Sequence, residues 1–267
     1  MSDRVTIHRE AGVADVRMSR PDKLNALDRA MFEGLVEAAA ELGADRSLRA
    51  VVLSGEGRAF CAGLDFASFM QLAGDGSPGG SLLARAEGSP ATAAQQAAYV
   101  WMTLPVPVIA AVHGVAFGGG LQIALGADMR IVAPDARLSV MEIKWGLIPD
   151  MTGTQTLRNL VRQDVAKDLT FTGRVVSGAE ALELGLATRV ADDPHAVALE
   201  AAREIATKSP DAVRAGKRLL DEAYLIDRDR GLALEAGIQK RLLGSKNQIE
   251  AVTANMEKRA PDFSDPE

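Results

Sequence analysis

The stretch of residues 104–125, LPVPVIAAVHGVAFGGGLQIAL, constrains this chain most, because His113 and Gln122 are its only polar side chains. About 20 apolar residues suffice to cross a bilayer as a helix. Two prolines near the start and three consecutive glycines would interrupt a lipid-facing helix, however. PVIAAV followed by a glycine turn instead predicts a strand buried on both faces that enters a helix. Such a strand needs layers packed around it. The 267 residues, 47% hydrophobic and 25% charged, supply enough for one large domain or a domain with an appendage.

The flanking sequence supports layers of strands and helices. Val5 and Ile7, then Ala14, Val16 and Met18, alternate with period two around Ala11-Gly12, which predicts a β-hairpin. From Asp28 to Gly43, Phe32, Leu35, Val36, Ala39 and Leu42 recur at helical spacing, with Asp28 as N-cap and Gly43 as C-cap. AVVLSG (50–55) and ADMRIVA (127–133) read as further buried strands. Strands alternating with helices predict α/β architecture with crossover connections. Residues 73–90, rich in Gly, Ser and Pro, predict a long surface loop with one helical turn at Leu82–Ala86. After about residue 175 the pattern predicts helices throughout, the last from Gly231 to Lys258.

Charge and cysteine content exclude several functions. A formal net charge of −6 gives no basic footprint for nucleic acid or an anionic membrane. Any anionic substrate must therefore be held by local charge. Cys61 is the single cysteine, so there is no intramolecular disulfide, and three distant histidines indicate no metal site. The opening MSDRVTIHRE lacks the apolar stretch of a secretory signal. A reducing, cytoplasmic location is the expectation.

Six ordered segments bring a family into view: MSRPDKLNALD (18–28), FCAGLDF (60–66), PVPVIAAVHGVAFGGGLQIALGAD (105–128), LSVMEIKWGLIPDMTGTQTL (138–157), FTGRVVSGAEALELGLATRV (171–190) and EAVTANMEKRAPDF (250–263). Together they resemble the enoyl-CoA hydratase/isomerase (crotonase) family over nearly the whole chain. The resemblance implies a spiral of repeated ββα units over residues 1–195, then a helical C-terminal region, 196–267, that mediates trimer formation. Two trimers commonly stack as a hexamer, so a homotrimer or homohexamer is expected. The implied substrate is an acyl-CoA thioester, in which coenzyme A belongs to the substrate and no separate cofactor is needed. The shared chemistry is an oxyanion hole of two backbone N–H groups that stabilises an enolate; by motif position these belong to Leu64 and Gly119.

These residue types suit that chemistry. A thioester Cα–H is a poor acid, and the main barrier is negative charge on the carbonyl oxygen, which fixed dipoles in a dry site relieve. Gly119 lies where a buried strand opens into LQIALGAD, so its N–H should sit at a helix N-terminus. Proton transfer needs a carboxyl group whose pKa burial raises toward neutrality. Glu142 matches the catalytic glutamate of hydratases and several isomerases of the family, and Asp150 matches the acid of its dienoyl-CoA isomerases. Read by themselves, Glu142 and Lys144 could form a same-face ion pair on a strand, and Asp150 could cap the helix of TGTQTLRNL.

Gln122 departs from the family pattern. Hydratases usually carry there the first of two glutamates that position and activate water. An amide cannot be a general base near neutral pH, though it can hold water or substrate. The dienoyl-CoA isomerases also carry an acid there, yet their two main proton-transfer positions are both filled here, so isomerisation is favoured modestly over hydration, with Glu142 and Asp150 as the proton-transfer pair. A true 2-enoyl-CoA hydratase is the nearest alternative, and a non-catalytic CoA-ester-binding relative is the alternative from another class. The resemblance further implies that Lys23, Leu24, Ala26 and Ala62 line the CoA, and that the tail carrying Lys258 and Phe263 reaches a CoA site, sometimes that of a neighbouring subunit. His113, Cys61, Tyr99, Trp101 and Met102 read as packing residues, the last three with acyl-pocket wall as the other reading.

Overall fold

A computed structural model describes residues 3–65, 67 and 80–266. Strands β1 (Val5–Glu10) and β2 (Val13–Met18) pair antiparallel through Ala11 and Gly12, both at positive φ. This is the hairpin expected from the alternating pattern. Helix α1 (Arg29–Gly43) starts where the Asp28 side chain accepts from the Met31 N–H, and it buries Met31, Leu35, Ala38 and Leu42. Its C-cap is Ala44, one residue beyond the expected Gly43, because the last turn closes without a left-handed residue.

Strand β3 (Ala50–Gly55) runs parallel to β2. Of the expected loop 73–90, residues 73–79 lie outside the described residues. The remainder forms a one-turn helix α2 (Gly80–Leu83), earlier than the expected Leu82–Ala86, and an Arg85–Thr92 bridge. Thr92 and Gln95 then form a reciprocal capping box that opens α3 (Ala93–Thr103). The apolar run becomes β4 (Val108–Val112), β5 (Val115–Phe117) and α4 (Gly119–Leu125). No described helix is long and apolar enough to cross a membrane.

The chain next builds β6 (Met129–Val132), β7 (Arg137–Ser139), a 3-10 turn Glu142–Trp145, and helices α5 (Gly153–Leu160) and α6 (Gln163–Thr172). With β8 (Val176–Ser177) and β9 (Arg189–Val190), the strands form a six-stranded sheet, order β1-β2-β3-β4-β6-β9, and a three-stranded one, order β5-β7-β8. The units β4–β5–α4 and β6–β7–α5 each lay one strand in each sheet and then turn into helix, which is the ββα repeat of the spiral. All pairings in the large sheet beyond the hairpin are parallel. One face packs against α1, α3 and α4.

The expectation of helix throughout after residue 175 requires correction. Val176–Ser177 forms β8, α7 spans Gly178–Leu184, and Arg189–Val190 forms β9 at the edge of the large sheet. Two-residue strands are too short to show a period. Helix α8 (Pro194–Ala206) covers the other sheet face, with Ala198 and Ala202 against Val13, Val52, Ile109 and Ile131. The expected boundary at 195/196 falls inside this helix. Helices α9 (Pro210–Ala223), α10 (Arg228–Leu242) and α11 (Lys246–Glu257) follow. The single helix expected over Gly231–Lys258 is therefore two, divided at Gly244 with φ +76°.

Candidate active site

The apolar run that dominates the sequence delivers one backbone N–H, that of Gly119, to the place where the segment after β3 brings another, that of Leu64. After β5, Gly118 adopts φ 51°, ψ −123°, and Gly119 begins α4. As the first helical residue, Gly119 has no intrahelical acceptor for its N–H. Leu64 is fixed by a parallel bridge to Leu27, in which Leu27 N–H donates to Gly63 O (2.8 Å) and Asp65 N–H donates to Leu27 O (3.0 Å). In a parallel ladder that pattern points the Leu64 N–H away from Leu27. A Cβ on Gly63, at φ +87°, would stand 2.6 Å from Phe117 O and 3.8 Å from the Gly119 nitrogen. The two segments thus abut with no side chain between them. Among the described residues neither N–H donates to an acceptor.

Glu142 sits against this turn, since a Cβ on Gly118 would be 3.3 Å from its Oε1. It lies in a 3-10 turn rather than on a strand, so the possible same-face pairing with Lys144 is absent; Lys144 stacks over the Trp145 ring at 5.3 Å. Glu142 is 9% exposed. Its Oε1 accepts from Gln122 Nε2 at 2.6 Å, while buried Oε2 has no partner among the described residues. Burial, reinforced by the charge of Asp150, raises its pKa above the ordinary carboxylate value.

Gln122 is fully buried, and its position is over-determined. Its Oε1 accepts from the Met151 N–H (2.8 Å) and the Gly153 N–H (2.9 Å), which fixes which end is oxygen. The amide oxygen is filled by protein, so only the NH₂ group faces the chemistry, and it is turned toward Glu142. The expectation that Gln122 could hold a water through either end is narrowed accordingly. The same bonds anchor the loop that carries Asp150. Asp150 does not cap α5, whose N-cap is Thr152 at φ 71°. Its carboxyl is raised by burial, although the residue as a whole is exposed. Protein atoms displace part of its water while leaving a path to solvent.

Four of the expected CoA residues converge. Ala62 N–H donates to Leu24 O (2.9 Å), and Ala26 N–H donates to Lys23 O (3.0 Å), which curls residues 21–26 against the strand bearing Leu64. Asn25, not singled out in the sequence, makes this possible. It is fully buried at φ 55°, accepts from Arg20 N–H, and donates to Glu56 O and Ala59 O. An Asn flanked by apolar residues in KLNAL was the available signal, because Asn tolerates left-handed backbone and carries both donor and acceptor. Cys61 is buried with its thiol donating to Asn25 O and its pKa pushed up to about 12 by burial, as suits a packing residue. Trp101 is fully buried, and His113 is bonded to Gly57 O at 3.0 Å.

Lys258 and Phe263 are not brought to this place. Lys258 is the exposed C-cap of α11, and the tail beyond it is tied back through Asn247 to Ser264 and through Asp265 to Arg49. Arg49 precedes β3, whereas Cys61 to Leu64 follow its far end. Among the described residues no cluster of His, Cys, Asp or Glu could hold a metal ion.

Two free N–H groups lie beside a buried carboxyl, and the whole chain carries the pattern of one family. Residues 8–266 match the family model described as enoyl-CoA hydratase/isomerase. The chain belongs to the enoyl-CoA hydratase/isomerase family. Mouse enoyl-CoA hydratase domain-containing protein 2, mitochondrial, is 35% identical over 259 residues, 94% of this chain and 84% of the relative. The crystal structure of enoyl-CoA hydratase from Bacillus anthracis superposes with TM-score 0.88 at 29% identity, covering 99% of this chain and 100% of that one. Enoyl-CoA hydratase from Mycobacterium tuberculosis gives TM-score 0.87 at 28% identity, over 98% and 99% of the two chains. The fold is that of the enoyl-CoA hydratase/isomerase family, and the chain is an enzyme of that class.

Proposed function

We propose that this enzyme shifts a double bond within an unsaturated acyl-CoA, with the thioester oxygen held by the Leu64 and Gly119 N–H groups. One carboxylate of the Glu142–Asp150 pair takes a proton from C2 of a 3-enoyl or 3,5-dienoyl ester. The electron pair delocalises onto the carbonyl oxygen, and the other carboxyl returns a proton at C4 or C6. Two carboxyl groups divide such work, one taking the proton and the other returning it. The observation that carries this reading is the engagement of Gln122: its oxygen accepts from the Met151 and Gly153 N–H groups, and its amide nitrogen donates one N–H to Glu142. Position 122 then serves to orient Glu142, not to activate water.

Lys23, Leu24, Ala26 and Ala62 would line the CoA, while Lys258 and Phe263 would act only on the CoA of a neighbouring copy. Assembly as a homotrimer or homohexamer is supported by exposed Leu220, Tyr224, Leu232, Leu243, Ile249 and Met256 on α9 to α11, since a lone chain rarely leaves such a set in water.

The second reading is 2-enoyl-CoA hydration, favoured by the names of the relatives. Incubation with a medium-chain trans-2-enoyl-CoA, read by mass spectrometry with Glu142→Gln as control, separates the two. Conversion of 3-enoyl or 3,5-dienoyl esters without a water adduct is the expected result. A rapid, Glu142-dependent adduct overturns it. Gln122→Glu provides the converse test: a sharp gain in hydration supports the second reading, whereas isomerisation should fall, because two carboxylates at hydrogen-bond distance cannot both stay ionised.

A further inference from the structure

Among the described residues at positive φ, which are glycines apart from Ala11, Leu24, Asn25, Thr152 and Lys258, Thr152 alone has a branched β-carbon. At φ 71°, ψ 0° that side chain crowds its own backbone, a conformation that persists only where the surroundings impose it. Asn and Asp reach this region with help from a local hydrogen bond of their side chain. Thr152 has no such help, because its buried Oγ1 lacks a partner among the described residues. Another group must hold the turn.

That group is Gln122. Its Oε1 accepts from the N–H of Met151 and the N–H of Gly153, the two neighbours of Thr152, at 2.8 and 2.9 Å. Donors on either side of one residue converge on a single acceptor when the chain between them turns left-handed, an arrangement that elsewhere cradles anions. The fit is close, since a Cβ on Gly153 would stand 2.6 Å from Gln122 Oε1 and 3.0 Å from Pro149 Cβ. Residues 149–153 are thus closed around the amide oxygen. Asp150 rides on this turn, and Met151 Sδ lies 2.8 Å from where a Cβ on Gly119 would be. The amide nitrogen of Gln122 bonds Glu142 at 2.6 Å. Both acids are therefore referred to one side chain, Glu142 directly and Asp150 through a turn that Thr152 strains.

We propose that Thr152 is a positioning residue: its strained backbone is a spring that Gln122 holds closed, and the closed turn is what places Asp150 beside the Glu142–Gln122 pair. The inference rests on the reading of Glu142 and Asp150 as the proton-transfer pair. Released by Gln122, the turn leaves the left-handed region and takes Asp150 with it. Glycine at position 152 keeps the same turn without strain, because it adopts positive φ freely.

A double-mutant cycle on the full-length protein, Gln122→Met against Thr152→Gly, tests this through kcat and KM for a 3-enoyl ester and through the thermal midpoint. With Thr152 present, Gln122→Met should lower kcat about 100-fold and change KM less than about threefold, the signature of a displaced reacting group. In Thr152→Gly the same change should lower kcat only about tenfold, since Asp150 stays in place. Thr152→Gly should raise the midpoint of the parent by roughly 2–4 °C, and that of Gln122→Met by clearly less, because a relaxed turn has no strain to lose. Thr152→Val keeps the branched β-carbon and removes the hydroxyl, so the kcat loss on Gln122→Met should remain as large as with threonine. Gln122→Asn, shorter by one methylene, withdraws the oxygen with less disturbance and replaces Gln122→Met where that protein does not fold. Equal kcat losses in the threonine and glycine backgrounds, a midpoint gain independent of Gln122, or a valine protein that behaves as the glycine one does, each overturn the proposal. If the midpoints couple but the parent moves no double bond, the reaction reading is what fails, and the same cycle read on hydration of a trans-2-enoyl ester decides the proposal.

Discussion

Glu142 and Asp15 are both carboxylates buried in this fold, 9% and 6% exposed, yet their surroundings drive them in opposite directions. Burial alone raises both. At Asp15, on the sheet face covered by α8, His195 Nε2 bonds Oδ1 at 3.0 Å and Arg17 bonds Oδ2 through Nε (3.0 Å) and Nη2 (2.6 Å). Those bonds overcome desolvation and hold the group below its ordinary value. At Glu142 a single amide bond and the nearby Asp150 leave desolvation in charge, and one buried oxygen lacks a partner. A carboxylate with both oxygens engaged ties strands to helices. One left half-engaged keeps the capacity to take and return a proton.

The sharpest way to break this contrast is Glu142→Gln, which should lower turnover by about 10²–10⁴-fold with unchanged circular dichroism. Retained activity would remove Glu142 from the chemistry. Next comes Gly118→Ala, where a left-handed φ and the approach to Glu142 Oε1 should cost about 1–3 kcal/mol in urea unfolding, together with most of the activity. Asp15→Asn should destabilise by about 1–3 kcal/mol, through donors left without their acceptor, while kcat stays within twofold of the parent's, roughly. A large fall in kcat with intact stability would contradict the division of roles.

The smallest effects lie in the pH dependence, and their signs differ. Asp15 is lowered from 3.8, so its stabilisation is present above that pH and lost as pH falls through the folded value. The stability gap between the parent and Asp15→Asn should therefore close in acid. Glu142 is raised from 4.5, so it favours the folded state below that pH and loses this as pH rises through the folded value. Glu142→Gln should thus melt at a higher temperature than the parent near neutrality, with the difference shrinking toward pH 4.

Much of this was readable in the sequence where a local rule governs. The Ala11-Gly12 hairpin, the Asp28 cap and the buried strand before Gly118 follow from periodicity and turn chemistry. Gly119 at a helix start and the paired acids came from motif position. Three features were hidden because they depend on atoms distant in the chain. The Gln122 oxygen meets N–H groups 29 and 31 residues away, Asn25 reaches Ala59, and β8 and β9 exist only because longer strands offer edges to pair with. No window of residues records which partner a buried amide will find.

The bridge that aims Leu64 has a consequence for how such an enzyme can change. Its donor is a main-chain group held by bonds from Leu27 and Asp65, none of which involves the Leu64 side chain. That side chain instead helps wall a cavity beside α1. Main-chain donor and side-chain wall are thereby separate atoms of one residue, so a substitution at position 64 can reshape the adjoining cavity and leave the backbone N–H where the Leu27 bridge holds it.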